Sequence, residues 1–318
     1  MTSSLPETTS RPNLLRLVDN IERVLLGKRE TVTLAVVGLL AEGHVLLEDV
    51  PGTGKTTLAR ALACSVKAEF KRIQFTSDML PSDVLGLSLP VAGRTELVFQ
   101  PGPLFANVVL ADELNRTPPR VQSALLEAMH EGAVTIEGER RPLPRPFLVI
   151  ATQNPLEFAG TYPLPESQLD RFLLRLRLGY PDRDVEYEIL DSRTSADPLE
   201  SLEAVISAAE LRQAIEQVRD VRVEPDLIQY MLNIIGMTRE DPAFLLGASP
   251  RAALGLRRAC QALALLEGRN YCVPDDVQRL AAAVLAHRIV PTERLATGSL
   301  TAAEELLRER VNTIEVPD

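Results

Sequence analysis

The stretch from His44 to Val66 constrains this chain more than any other: an apolar strand, HVLL, then EDVPGTGKTT, then a helical pattern beginning LARALACSV. A strand feeding a glycine-rich turn and then a helix belongs to layered α/β folds, where helices cover both faces of a parallel sheet. A phosphate chain needs inward-turned backbone N–H groups, a helix N-terminus behind them and a cation for the terminal phosphates. Asp49, Val50, Pro51, Gly52, Thr53, Gly54, Lys55, Thr56 and Thr57 form the candidate loop. In it Gly52 and Gly54 let the chain curl, Lys55 supplies the cation and Thr56 offers a hydroxyl to Mg²⁺. The strict G-x4-GK[ST] pattern puts glycine at position 49. Here Asp49 stands there, a residue type that tolerates a left-handed backbone.

Up to residue 180 the chain alternates short β-rich runs with helical patterns. The strands are expected at Val45–Leu47, Arg72–Phe75, Val108–Ala111, Leu148–Ala151 and Phe172–Leu178. The runs VVLA and LVIA are continuously apolar, which places them inside the sheet. Beyond Tyr180-Pro181-Asp182 the patterns are helical. Ser207 and Glu210 form a capping box, Pro225, Pro250 and Pro274 open helices, and Gly268 closes one. The expected organisation is an N-terminal tail over 1–12, disordered in its Ser/Thr-rich start, an α/β nucleotide-binding domain over 13–180 and a smaller all-helical domain over 181–318. The closing VNTIEVPD reads as a short strand.

Length and composition agree, since 318 residues with 45% apolar and 25% charged side chains suit two soluble globular domains. Lys plus Arg number 34 against 44 Asp plus Glu, a net charge of −10, which disfavours wrapping an anionic duplex. No apolar run is long enough to span a bilayer and the first twenty residues lack a signal-peptide pattern, so a cytoplasmic protein without membrane insertion is expected. Cys64, Cys260 and Cys272 show no metal-ligand spacing; Cys64 and Cys260 lie in helical patterns, where buried thiols are expected.

A second acidic motif narrows the chemistry. Val108-Val-Leu-Ala-Asp112-Glu113 delivers two carboxylates at the C-terminal end of a strand, where open α/β sheets bind ligands. Asp112 is placed to hold Mg²⁺ and Glu113 to orient an attacking water, a pairing suited to hydrolysis. The strand ending Ala151-Thr-Gln-Asn154 brings Asn154 to the same edge.

Taken together these motifs resemble the AAA+ ATPases, and among them the MoxR family. The likeness runs through LLEDVPGTGKTTLARALA (46–63), RIQFTSDMLPSDVLG (72–86), the stretch 99–136 around VVLADELNR, the stretch 151–173 ending LDRFL, and GASPRAALGLRRA (247–259). Asp49 itself fits the EDVPG form usual in that family. The resemblance implies an AAA+ domain with a five-stranded parallel sheet and a helical lid. It makes Lys55 and Thr56 the Walker A pair, Asp112 and Glu113 the Walker B pair, and Asn154 sensor 1. Arg171, in LDRF, resembles the arginine finger that reaches a neighbouring subunit's nucleotide, with Arg116 and Arg120 as rivals. Arg251 resembles a sensor 2 arginine acting within its own subunit, and Gly27 and Lys28 a pair near adenine.

The activity so implied is hydrolysis of ATP by a homo-oligomeric ring, a hexamer in the family pattern, with a chaperone-like role in maturing client proteins or inserting their cofactors. A von Willebrand factor A domain protein is the expected partner. Two stretches, 86–99 around Ala92-Gly93-Arg94 and 134–142 around Glu137-Gly138, read as hairpins able to touch a client. The alternative is a DNA-directed AAA+ machine, which the acidic charge and the absence of a helix-turn-helix or GAFTGA loop disfavour. A scaffold that binds ATP without turnover is disfavoured by Glu113.

Overall fold

The structure, a computed structural model, describes residues 11–90, 97–154, 160–192, 198–292 and 299–317. The first ten residues and the Ala92-Gly93-Arg94 turn lie outside the described residues, whereas Arg11 and Pro12, expected in the tail, already belong to the first helix.

In chain order the first half runs α1 (Arg11–Glu22), α2 (Arg29–Leu40), β1 (Val45–Glu48), α3 (Lys55–Ser65), β2 (Phe70–Gln74) and α4 (Pro81–Leu85). It continues through β3 (Gly86–Pro90), β4 (Leu97–Pro101), β5 (Val108–Asp112), α5 (Pro119–Glu131), β6 (Ala133–Ile136), β7 (Glu139–Pro142), β8 (Leu148–Gln153), α6 (Glu166–Leu169) and β9 (Leu174–Leu176). The second half is α7 (Arg183–Ser192), α8 (Ala208–Val218), α9 (Pro225–Glu240), β10 (Phe244–Leu246), α10 (Pro250–Leu266), α11 (Pro274–Leu285), β11 (Val290–Pro291) and α12 (Ser299–Val311).

Strands pair in the order β2-β5-β8-β1-β9, all parallel, as a five-stranded sheet. Both apolar runs are interior, and every residue of β1 and β5 is buried because helices cover each face. Side-chain alternation divides the core. Val45, Leu47, Leu110, Ile150 and Leu174 face α2 and α3, in a cluster continuous with the helices that follow residue 207. Leu46, Val109, Ala111, Val149 and Ala151 face α5 in a second cluster. The register aligns Gln74 with Asp112 and Glu48 with Gln153, so the C-terminal ends of β1, β2, β5 and β8 share one edge. That edge is where the phosphate loop emerges.

The helical half follows its start signals. Ser207 Oγ accepts the N–H of Glu210 while the Glu210 carboxylate accepts that of Ser207, a closed capping box for α8. Pro225, Pro250 and Pro274 occupy first-turn positions of their helices, and Gly268 follows α10 at φ +78°. The hairpins β3–β4 and β6–β7 are antiparallel as expected, and Arg141 of β7 lies 4.1 Å over the Phe99 ring of β4.

Two expectations fail. VNTIEVPD is not a strand: Val311 is buried at the end of α12 and residues 312–317 pair with no sheet edge among the described residues. Cys64 is exposed, because with Arg60 it lies on the outward stripe of α3, while Cys260 is buried as expected. Burial pushes the Cys260 thiol well up and the Cys272 thiol to about 12, which leaves both inert.

Candidate active site

The turn after β1 takes its shape from glycine. Gly52 has φ +87° and Gly54, the residue before α3, φ +98°, a region costly for L side chains. A Cβ on Gly54 would also fall 2.9 Å from Leu25 Cδ1. The Lys55 ammonium is held beneath the loop, donating to the carbonyls of Asp49 at 2.7 Å and Val50 at 2.8 Å. Burial lowers its pKa, against the pull of Asp49, Asp112 and Glu113, which favour the charged form.

Asp49 departs from the expected explanation. Outside glycine, positive φ occurs among the described residues at Glu42, Lys67, Glu113 and Glu137 only, so Asp49 does not use a left-handed backbone. Its carboxylate instead accepts the N–H groups of Val50 at 2.9 Å, Leu178 at 2.8 Å and Gly179 at 2.6 Å. The residue ties the start of the loop to the chain leaving the last strand.

Lys55, Thr56, Asp112, Glu113 and Asn154 all line one cavity of about 390 Å³ at the strand ends. Asp112 Oδ1 accepts from Thr152 Oγ1 at 2.6 Å, and that hydroxyl accepts the N–H of Glu113 at 2.8 Å. Glu113 has φ +58°, a strained conformation at the chemistry-bearing position. Thr56 and Asp112 supply hard oxygen donors, the set that suits Mg²⁺ when phosphates and waters complete its shell. Among the described residues no cluster of three His, Cys, Asp or Glu side chains offers a rival all-protein metal site.

Four lining residues went unnoticed in the sequence, Thr152 and Gln153 of β8 and two from β2. Arg72 and Gln74 project from β2 into the same cavity, Arg72 onto Asp112 and Gln74 onto Glu113. Their spacing of two on a strand is the signal that puts both on one face.

The remaining candidates lie elsewhere. Gly27, at φ +68°, packs against Val185, and Lys28 Nζ donates to the Tyr180 carbonyl at 2.8 Å, close to the Leu25 that borders Gly54. Arg171 follows Asp170, whose carboxylate gathers Ser249 Oγ at 3.2 Å, Arg288 at 3.3 Å and Arg251 at 4.0 Å. Arg251 is thus drawn towards the Asp170 carboxylate, on which the Ser249 cap seats the start of α10, and is not among the residues lining the cavity. Arg116 Nε pairs with Glu113 at 3.2 Å. At residue 175 a buried guanidinium joins Glu48 at 2.7 Å and Glu304 of α12 at 3.5 Å, linking the loop-bearing strand to the last helix.

A parallel sheet of this order, with the glycine turn, the paired carboxylates and a helical second half, defines an AAA+ ATPase. The family model for the ATPase family associated with various cellular activities matches residues 44–174, and that for the AAA lid domain matches 236–310. The chain belongs to the MoxR family of these proteins. It is 40% identical to Chaperone MoxR1 of Mycobacterium tuberculosis, over 96% of this chain and 82% of that one. It is 48% identical to the uncharacterized protein YeaC of Bacillus subtilis, over 96% and 95% of the two chains. A crystal structure assigned as an ATPase from Cytophaga hutchinsonii superposes with a TM-score of 0.86 at 32% identity, covering 97% of this chain and 96% of that one. Among the described residues no helix is long and apolar enough to cross a membrane.

Proposed function

We propose that this protein binds and hydrolyses ATP with Mg²⁺ in the cytoplasm, as a homo-oligomeric ring of hexameric type, and uses the cycle to remodel or load a client protein. The observation that carries the reading is the convergence of Lys55, Thr56, Asp112, Glu113 and Asn154 on one cavity behind a glycine turn at a helix N-terminus.

In this reading Lys55 and the N–H groups of residues 52–57 bind the β- and γ-phosphates. Thr56 and Asp112 hold Mg²⁺, which neutralises phosphate charge when bound. A water positioned by Glu113 and Asn154 attacks the γ-phosphorus, its proton passes to Glu113, and the bond to the β–γ bridging oxygen breaks to release ADP. Little covalent work falls to the protein, and positioning with charge stabilisation carries the rate. Arg171 is read as facing the nucleotide of the adjoining subunit, and Arg251, at the start of α10 in the lid, as the sensor 2 arginine of its own subunit. Gly27 and Lys28 border the adenine side.

Residues 13–180 serve as the nucleotide-binding unit and 181–318 as the lid. Departure of the γ-phosphate frees Asn154 and the arginines, and the lid moves against the sheet. A protein with a von Willebrand factor A domain is the partner of choice for that motion, received on the two hairpins.

The test is phosphate release by the purified protein with ATP and Mg²⁺, together with capture of partners by Glu113→Gln held in ATP. Magnesium-dependent turnover is expected. Its absence at concentrations where rings form would overturn the reading.

A further inference from the structure

Both oxygens of Asp112 are already engaged. Oδ1 takes the Thr152 hydroxyl, while Oδ2 takes Arg72 Nε at 3.1 Å and Nη2 at 2.6 Å. The same Nη2 donates to Gln74 Oε1 at 2.7 Å, and Gln74 Nε2 donates to Glu113 Oε2 at 2.7 Å. Arg72 thus fixes which end of the Gln74 amide faces Glu113. A continuous chain of hydrogen bonds joins the two carboxylates through β2, where Arg72 is half-exposed and Asp112 nearly buried.

We infer that Arg72 is a positioning residue that holds Asp112 Oδ2 in place of the divalent cation and, through Gln74, carries the exchange to Glu113. The inference rests on the reading of Asp112 as the cation-holding carboxylate. A guanidinium and a divalent cation on one carboxylate oxygen repel each other, so each weakens the other's hold on it. When Asp112 turns to the cation, Arg72 gives up both bonds to Oδ2 and the bond that orients Gln74 goes with them. Glu113 is then released from its β2 partner at the moment the nucleotide is loaded. The half-exposed position of Arg72 leaves it room to swing. A half-exposed ion pair is weak, so the competition shifts the cation equilibrium by only about two- to five-fold, enough to tune loading without blocking it.

The experiment follows a fluorescent ATP analogue binding to the full chain, titrated with Mg²⁺ and repeated in EDTA. Arg72→Gln is expected to lower the Mg²⁺ midpoint about two- to five-fold and leave affinity in EDTA unchanged. Arg72→Lys keeps the charge without the fork, so its midpoint returns towards that of the parent. An unchanged midpoint in Arg72→Gln overturns the inference. So does an equal loss of affinity with and without Mg²⁺, which would make Arg72 a phosphate ligand. Asp112→Asn is the separating control, since a parental midpoint there would sink the reading of Asp112 itself.

The relay is read from kcat. Arg72→Gln and Gln74→Ala are expected each to change it, and the double variant to lie within about two-fold of the stronger single, as for residues acting in one chain of bonds. Arg72→Lys, which cannot reach both partners, is expected to share the kcat change. A double variant equal to the product of the singles, or no change in either, overturns the relay.

Discussion

Asp49 Oδ2 accepts the Gly179 N–H at 2.6 Å, which pins the start of the phosphate loop to the chain where it leaves the sheet for the helices. The same oxygen takes the Leu178 N–H, and the other takes Val50. Asp49→Ala strands N–H groups in a nearly buried place and is expected to cost about 2–3 kcal/mol of stability, with weakened nucleotide binding. Asp49→Gly restores the strict glycine pattern and is expected to do no better, since Asp49 does not use positive φ. Denaturant unfolding of the three proteins checks this. A fully stable Asp49→Gly would show that the tether is dispensable.

Lys55 and Glu113 act at different stages, so their loss separates binding from turnover. Lys55→Ala is expected to abolish nucleotide binding, because the ammonium meets phosphate in the ground state. Glu113→Gln is expected to bind ATP normally and to lose turnover on the order of 10²–10⁴-fold, the usual worth of a positioned base. Equilibrium binding and phosphate release on the same preparations check both. Parental turnover in Glu113→Gln would remove it from the reaction.

What the sequence made legible was local. The strand–turn–helix around Lys55, the apolar run ending in Asp112 and Glu113, and the cap at Ser207 are each one continuous stretch of chain and carry their own pattern. What stayed hidden depends on distant packing. Arg72 and Gln74 lie in an expected strand whose sequence does not show its neighbour, and only the pairing of β2 with β5 turns them onto the carboxylates. Asp49 finds its partners 129 and 130 residues away. Arg251 follows α10, whose seat on Asp170 no local pattern encodes.

His44 makes stability depend on pH. Its ring is buried, with Nδ1 accepting the Val149 N–H at 3.0 Å and Nε2 therefore donating to the Met129 carbonyl at 3.1 Å, an arrangement only the neutral ring satisfies. Burial lowers its pKa to about 4. Below an ordinary value near 6.5 the unfolded chain takes a proton that the fold refuses, so stability falls with pH through the window from about 6.5 to about 4. The cost between pH 7 and pH 5 is about 2 kcal/mol from this ring. His287, also buried and lowered, acts in the same direction. Unfolding measured at the two pH values is expected to show the loss, and His44→Gln to reduce the slope. A flat profile would mean that the ring is not held neutral.

Arg171 is the sharpest test of the ring. Its neighbour Asp170 is held by Ser249, Arg251 and Arg288, so α10 and the LDRF segment form one face, and Arg171 Nη1 is buried there without a hydrogen-bond partner among the described residues. An arginine presented to a neighbour's γ-phosphate is worth on the order of 10³–10⁵ in kcat, so Arg171→Ala is expected to bind ATP and scarcely turn it over. Mixing supplies the proof of action in trans. Arg171→Ala subunits have sound loops and no finger, whereas Lys55→Ala subunits have sound fingers and no working loop. Where the two meet in the right order, one interface contains a sound loop and a sound finger, so mixed rings are expected to regain part of the activity both parents lack. Phosphate release across a series of mixing ratios reads the recovery. Full activity of Arg171→Ala alone would move the finger to Arg116 or Arg120. Of these Arg116 already pairs with Glu113 in its own chain and would have to leave that carboxylate to serve a neighbour.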